Sequence, residues 1–226
     1  EAYLDYNEYM DLTEEMLRIV AQNVNGTTKL EYEGHSIDLA QPFERLSMRE
    51  AVLRYNPKLS SADLNNQKTM ASMLVTRGVE LDSDLSVGEM LMLVFDETVE
   101  DHLIQPTYIT AYPEAVSPLS RRNDDDYSLT DRFELFIAGR ELANGFSELN
   151  DAEDQATRFE RQAAAKSSGD EEAMFFDQDY ITALEYGLPP NAGGGLGVDR
   201  FVMLLTGCSS IRDVLLFPHL RSDSNN

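Results

Sequence analysis

Phe133-Glu-Leu-Phe-Ile-Ala-Gly-Arg-Glu-Leu-Ala-Asn-Gly-Phe-Ser-Glu-Leu-Asn-Asp151 decides the fold. Strand-forming apolar residues lie on both sides of Ala138-Gly139, the pattern of a hairpin with a tight turn. With the turn there, Ile137 pairs with Arg140 and Phe136 with Glu141. Pleat parity then sets Glu134 and Glu141 on one face. Asn144 and Glu148 share a face with each other, but their parity opposes that of Glu141. Lining one site with all four requires a bulge, expected near Gly145. Acids inside an apolar hairpin are costly unless paired or bound to a cation. Glu134 and Glu141 are therefore candidates for sharing a hard cation with a phosphate. The plainer alternative is that these acids line the solvent face of an edge hairpin.

Downstream, a helix is expected from Asn150, with Ala156, Phe159 and Ala163 on one side and Gly169 past its end. Another covers Asp177–Tyr186 and stops at Gly187-Leu-Pro-Pro190. Gly193-Gly-Gly-Leu-Gly-Val-Asp-Arg200 then leads into an apolar helix, Phe201–Leu205. Gly193, Gly194, Gly195 and Gly197 strip side chains from one short stretch, so a flat ligand or another backbone can come close. The spacing matches neither a dinucleotide fingerprint nor a phosphate loop of the G-K-S/T type. Arg200 stands where the glycines give way to a helix, so its guanidinium can face a phosphate. The alternative is a glycine-lined strand packed on a helix, with Arg200 in a salt bridge.

Upstream, Thr107–Tyr112 reads as a strand, and Ser117–Asp126 as a polar loop. Arg121-Arg122 in that loop are weak phosphate candidates, and Asp124-Asp-Asp126 reads as solvated. Residues 45–103 read as a helical insertion. Ser47 with Glu50, and Ser86 with Glu89, have capping-box spacing. Met70, Met73, Met90 and Met92 fall here, and core packing explains them better than a binding groove. Nearer the start, a helix signalled by Asp11 and Glu14 carries Leu12, Met16, Ile19 and Val20 on one face and ends at Asn25-Gly26. Thr28–Glu33 and Ser36–Leu39 form a small hairpin around Gly34.

The 226 residues hold 18 Lys+Arg against 41 Asp+Glu, a net charge of −23. That balance argues against this segment gripping nucleic acid by itself, because phosphate binding needs clustered cations. With 42% hydrophobic residues the chain is too apolar for a disordered acidic tail. No apolar run reaches the roughly 18 residues of a membrane span. The lone Cys208 excludes an internal disulfide and fits a reducing compartment. His35, His102 and His219 lack metal-ligand spacing. The expected fold is α+β, an antiparallel sheet flanked by helices, with a frayed tail from Ser222.

The hairpin block resembles the amino-acid-binding segment of class II lysyl-tRNA synthetases, and Gly193–Arg200 resembles motif 3 of class II synthetases. The likeness runs from Glu1 to Arg221. It implies that Glu134 and Glu141 hold Mg²⁺ against ATP, and that Arg200, beside Gly197, meets the γ-phosphate. It further implies that Glu148 takes the ε-ammonium of lysine with Tyr3 beside it. Asn144 would lie near the substrate carboxylate and Glu1 near the α-amine. In that family motif 1, which builds the homodimer interface, the motif 2 arginine and the anticodon-reading β-barrel precede the stretch matched by Glu1. Residues 1–226 are therefore expected to be the C-terminal part of a catalytic domain, including the 45–103 insertion, and inactive alone. A cytoplasmic enzyme acting on lysine, ATP and tRNA(Lys), without a membrane, is implied. Two other readings stay open: a paralogue that lysylates elongation factor P, and a non-catalytic module binding lysine, a nucleotide or a protein partner.

Overall fold

The computed structural model describes residues 1–82, 85–167, 169 and 173–218; His219 and the tail from Ser222 lie outside them. The first helix, α1 (Tyr6–Asn25), is fixed by a capping box. The Asp5 carboxylate accepts from the Asn7 and Glu8 N–H groups, and Glu8 accepts from the Asp5 N–H. Gly26, at φ 70°, ends it. The helix thus begins upstream of the Asp11 signal. It buries Met10, Thr13, Leu17 and Ala21, and leaves Leu12, Met16 and Ile19 exposed, with only Val20 partly covered. Two apolar stripes compete on this helix, and periodicity alone does not choose between them.

β1 (Lys29–Tyr32) and β2 (His35–Asp38) form a separate antiparallel hairpin. The main sheet has the order β3 (Glu44–Ser47), β4 (Thr107–Pro113), β5 (Leu129–Ile137), β6 (Arg140–Ser147), β7 (Ala192–Leu196). β3 runs parallel to β4, and the remaining pairs are antiparallel. The stretch expected to be helical from residue 45 therefore opens as a strand. Helices α2 (Met48–Tyr55), α3 (Gln67–Thr76) and α4 (Val87–Thr98) follow, with both capping boxes formed on α2 and α4. α5 (Ala152–Ser167) and α6 (Gln178–Tyr186) lie between β6 and β7, and α7 (Val198–Thr206) follows β7. No helix among the described residues is long and apolar enough to cross a membrane.

The sheet has a core on each face. Tyr108, Phe133, Leu135, Ile137 and Ala143 pack with α1 and α7. Leu46, Ile109, Tyr112 and Phe136 pack with α2, α3 and α4, and Met70 and Met90 are buried there, as core packing required. α2 and α4 rest on the β3–β4 side of this second face. Toward β6 and β7 the same face is more open: Glu141, Asn144, Phe146 and Glu148 are half-buried. Burying a Leu- or Phe-sized side chain contributes about 1.5–3 kcal/mol. The two cores thus anchor the hairpin while one end of its outer face stays accessible.

Candidate active site

The β5–β6 hairpin closes at Ala138 and Gly139, both with positive φ (54° and 68°). That is the geometry of a two-residue hairpin loop matched to strand twist. The strain on Ala138 is held by backbone bonds, Ala138 N–H to Ile104 O at 2.9 Å and Gly139 N–H to Leu103 O at 3.0 Å. Ile137 pairs with Arg140 and Phe136 with Glu141, as the turn position requires. The register then shifts: Leu135 pairs with Ala143, so Leu142 is an extra residue. This bulge settles the parity conflict, but at Leu142 rather than near Gly145. Gly145 is bare for another reason, since a Cβ there would stand 2.7 Å from the Phe133 ring. Beyond the bulge Glu134 lies opposite Asn144. Asn144 Nδ2 donates to Glu141 Oε1 at 3.0 Å.

Glu134 is only 7% exposed. Arg132 Nη2 donates to its Oε1 at 2.5 Å, and the Tyr112 hydroxyl donates to Oε2 at 2.8 Å. Burial pushes the carboxyl up, Arg132 and Tyr112 pull it down, and Glu141 adds to the rise. Tyr112 reaches this face through a register irregularity in β4, where Ala111 adopts φ 56°. Arg132 lies over the Tyr112 ring, 4.6 Å from its centroid, a cation–π contact that fixes both donors.

β7 pairs with β6 so that Gly195 faces Asn144 and Gly193 faces Phe146. A Cβ on Gly193 would collide with Glu148 Oε1, whereas one on Gly195 would meet nothing within 4 Å. The Gly197 N–H donates to Leu142 O at 2.8 Å, and a Cβ there would crowd that carbonyl at 3.3 Å. Arg200, in the first turn of α7, donates to the Glu141 carbonyl, with Nη1 3.8 Å from Glu141 Oε2. Its side chain remains 51% exposed. Glu141, Asn144, Gly195, Gly197 and Arg200 line an open cavity of about 380 Å³.

Glu148 stands at the far end of β6, its N–H bonded to Asn191 O at 2.9 Å. Burial raises its carboxyl. Glu1 reaches this end through paired backbone bonds with Ala192. Tyr3 is bonded there through its N–H to Pro190 O, but its side chain is turned outward, 78% exposed. Glu148, Ser147, Asp131, Arg121 and Asn191 line a second cavity of about 430 Å³. Glu134, Glu141, Asn144 and Glu148 thus share one sheet face but fall into two groups, Glu134–Glu141–Asn144 with Arg200 of α7, and Glu148 with the Glu1 backbone; the Tyr3 side chain joins neither. Arg121 and Arg122 are committed to ion pairs, with Asp124 and Asp131, and with Glu114 and Asp154.

The pattern of the family described as "tRNA synthetases class II (D, K and N)" matches residues 1–221. This chain belongs to that family. The heat-inducible lysine–tRNA ligase of Escherichia coli (strain K12) is 54% identical over 220 residues, which are 97% of this chain and 44% of that protein. The lysine–tRNA ligase of Nitrosomonas europaea is 56% identical over 223 residues, 99% of this chain and 44% of that protein. That of Tolumonas auensis is 56% identical over 225 residues, again 97% and 44%. The chain therefore spans less than half the length of these relatives.

For a class II synthetase, the donor chemistry around Glu134 and Glu141 fits Mg²⁺. Hard carboxylate oxygens on facing strands can supply one or two ligands, and substrate phosphates and waters supply the rest. Sequence reasoning missed Tyr112 and Arg132, which hold Glu134, and Asp96 and Glu100 behind it. Asp96 is pushed up to about 7 by desolvation and by Glu100, Glu134 and Glu97. Since Asp96 reaches the surface, the neighbouring negative charge is the better physical reason. Asp96 in α4 and Glu100 just past its end are distant in sequence from the hairpin, so no spacing rule links them.

Proposed function

We propose that this chain is the C-terminal catalytic part of a lysine–tRNA ligase. The whole enzyme, a cytoplasmic homodimer, would join lysine to ATP as lysyl-adenylate and pass the lysyl group to tRNA(Lys). The observation that carries this reading is the hairpin face itself. It holds two acids beside an accessible arginine at one end and a lone partly buried acid at the other.

In this reading Glu134 and Glu141 hold Mg²⁺, which when bound neutralises phosphate charge. Arg200, with Gly197 beside it, meets the terminal phosphate. Asn144 orients the substrate carboxylate, Glu1 faces the α-amine, and Glu148 with Tyr3 takes the ε-ammonium. Lysine then attacks through its carboxylate oxygen. The new bond is from that oxygen to the α-phosphorus, the α–β bridging bond breaks, and pyrophosphate leaves. No general base is required, because the nucleophile is already ionised at neutral pH. Catalysis is alignment and charge compensation by preplaced groups.

The test is lysine-dependent ATP–pyrophosphate exchange by the full-length protein, followed by charging of tRNA(Lys) or of elongation factor P. Exchange with lysine and transfer to tRNA are expected. Exchange followed by lysylation of the protein factor alone would replace this reading with the paralogue's, and binding without exchange would leave a non-catalytic module.

A further inference from the structure

A strap of chain, residues 116–121, with Ser117 and Ser120 buried, joins the two ends of the hairpin face. At one end Arg132, which holds Glu134, also donates Nη1 to Val116 O at 2.8 Å and to Ser117 Oγ at 3.0 Å. Arg158 of α5, 2% exposed, donates to Ser117 O at 3.1 Å and Ser120 O at 2.8 Å. Gln155 Nε2 donates to Pro118 O at 3.1 Å. Arg158 is balanced by Asp154 at 2.8 Å and Glu114 at 3.3 Å. At the other end Ser120 is the antiparallel partner of Glu148.

The form of that pairing matters. The flanking bonds are Leu149 N–H to Leu119 O at 3.0 Å and Arg121 N–H to Ser147 O at 2.8 Å. Ser120 and Glu148 are therefore a non-hydrogen-bonded pair, the kind whose side chains stand closest on a shared face. The carbonyl of Ser120 is directed away from β6, and Arg158 takes it.

We propose that Arg158 is a positioning residue for Glu148, and through it for lysine selectivity. Pinning the carbonyls of Ser117 and Ser120 fixes the strap, and the strap's pairing with residues 147–149 fixes where the Glu148 carboxylate stands. The inference rests on Glu148 being the acid for the ε-ammonium. Arginine suits the task because its planar fork reaches two carbonyls and a carboxylate at once, which an ammonium on a flexible stem does not. Without it the Ser120 carbonyl loses its donor and the Ser117 carbonyl keeps only the Ser120 N–H at 3.2 Å, so the strap must move to find water. A displacement of about 1 Å at a binding group is enough to lower turnover up to about 100-fold.

The experiment compares Arg158→Lys and Asp154→Asn with the parent in the full-length protein. It reads KM for lysine and for ATP separately, the preference for lysine over ornithine, and the melting temperature. Arg158→Lys is expected to raise lysine KM about tenfold and to erode the preference over ornithine, with ATP KM held within about twofold because Glu134 keeps the Tyr112 hydroxyl and the Arg132 guanidinium that lies over the Tyr112 ring. Asp154→Asn, which leaves Arg158 in place with less anchoring, should move the same two quantities less. Should Arg158→Lys fail to fold, Asp154→Asn carries the test. A fall in melting temperature with both KM values unchanged, or equal rises in both, would overturn the proposal. Glu148→Gln run in parallel separates the two readings. If it leaves lysine KM unchanged, the assignment of Glu148 fails; if it raises lysine KM while both other variants do not, only the role of Arg158 fails.

Discussion

Asn144 donates to Glu141 although the two stand three residues apart on one strand. In a regular strand such side chains point to opposite faces. The extra residue, Leu142, turns them to the same side. A hydrogen bond to a carboxylate contributes roughly 1.5 kcal/mol, or about tenfold in an equilibrium. Asn144→Ala should therefore raise the Mg²⁺ concentration for half-maximal pyrophosphate exchange about tenfold. An unchanged Mg²⁺ titration would show that Glu141 needs no such support.

Arg200 is half-exposed and lightly tethered, as a group must be if it is to meet an incoming anion. Its removal should weaken transition-state stabilisation more than folding. Arg200→Ala is expected to cut exchange by about 100- to 1,000-fold with little change in melting temperature. A loss below about tenfold would return Arg200 to a structural role.

The glycines of β7 are not equivalent. Gly193→Ala drives a methyl group into Glu148, so lysine KM should rise about 10- to 100-fold while ATP KM stays near the parent value. Gly195→Ala meets open space, and its melting temperature should match the parent. Equal effects of the two on lysine KM would contradict the placement of Glu148.

Burial raises the Glu148 carboxyl, so the free enzyme keeps that proton above the ordinary glutamate range of about 4.3. An ε-ammonium pairs with the ionised form. Lysine affinity should then be full above the raised pKa and fall as the pH drops through it. Lysine KM measured against pH should show this acidic limb, and Glu148→Gln should lack it. A parent profile flat down to the ordinary glutamate range would count against the pairing.

The hairpin and its turn were legible because pairing follows from parity once Ala138-Gly139 is placed. Even the need for a bulge was visible, from the mismatch between Glu141 and Asn144. Its position was not, because Gly145 looks like a bulge residue but is small to admit Phe133. The buried face of α1 is not legible, because Leu12, Met16 and Ile19 are as apolar as the stripe that packs. Tyr112 and Arg132 escaped notice because their task depends on an irregular strand that side-chain type does not announce. The strap through Ser117 and Ser120 is made of backbone carbonyls, which sequence patterns do not rank.

The order of strands has a kinetic consequence. β4, β5 and β6 follow one another along the chain and pair in that order, whereas β7 reaches β6 only after α5 and α6. Short loops close faster than long ones. The meander carrying Glu134 and Glu141 should gather its negative charge before β7 and the following helix, which bears Arg200, arrive. Added salt should hasten that first stage by screening the repulsion. Pulsed hydrogen exchange during refolding should find β5 and β6 amides protected ahead of those in β7.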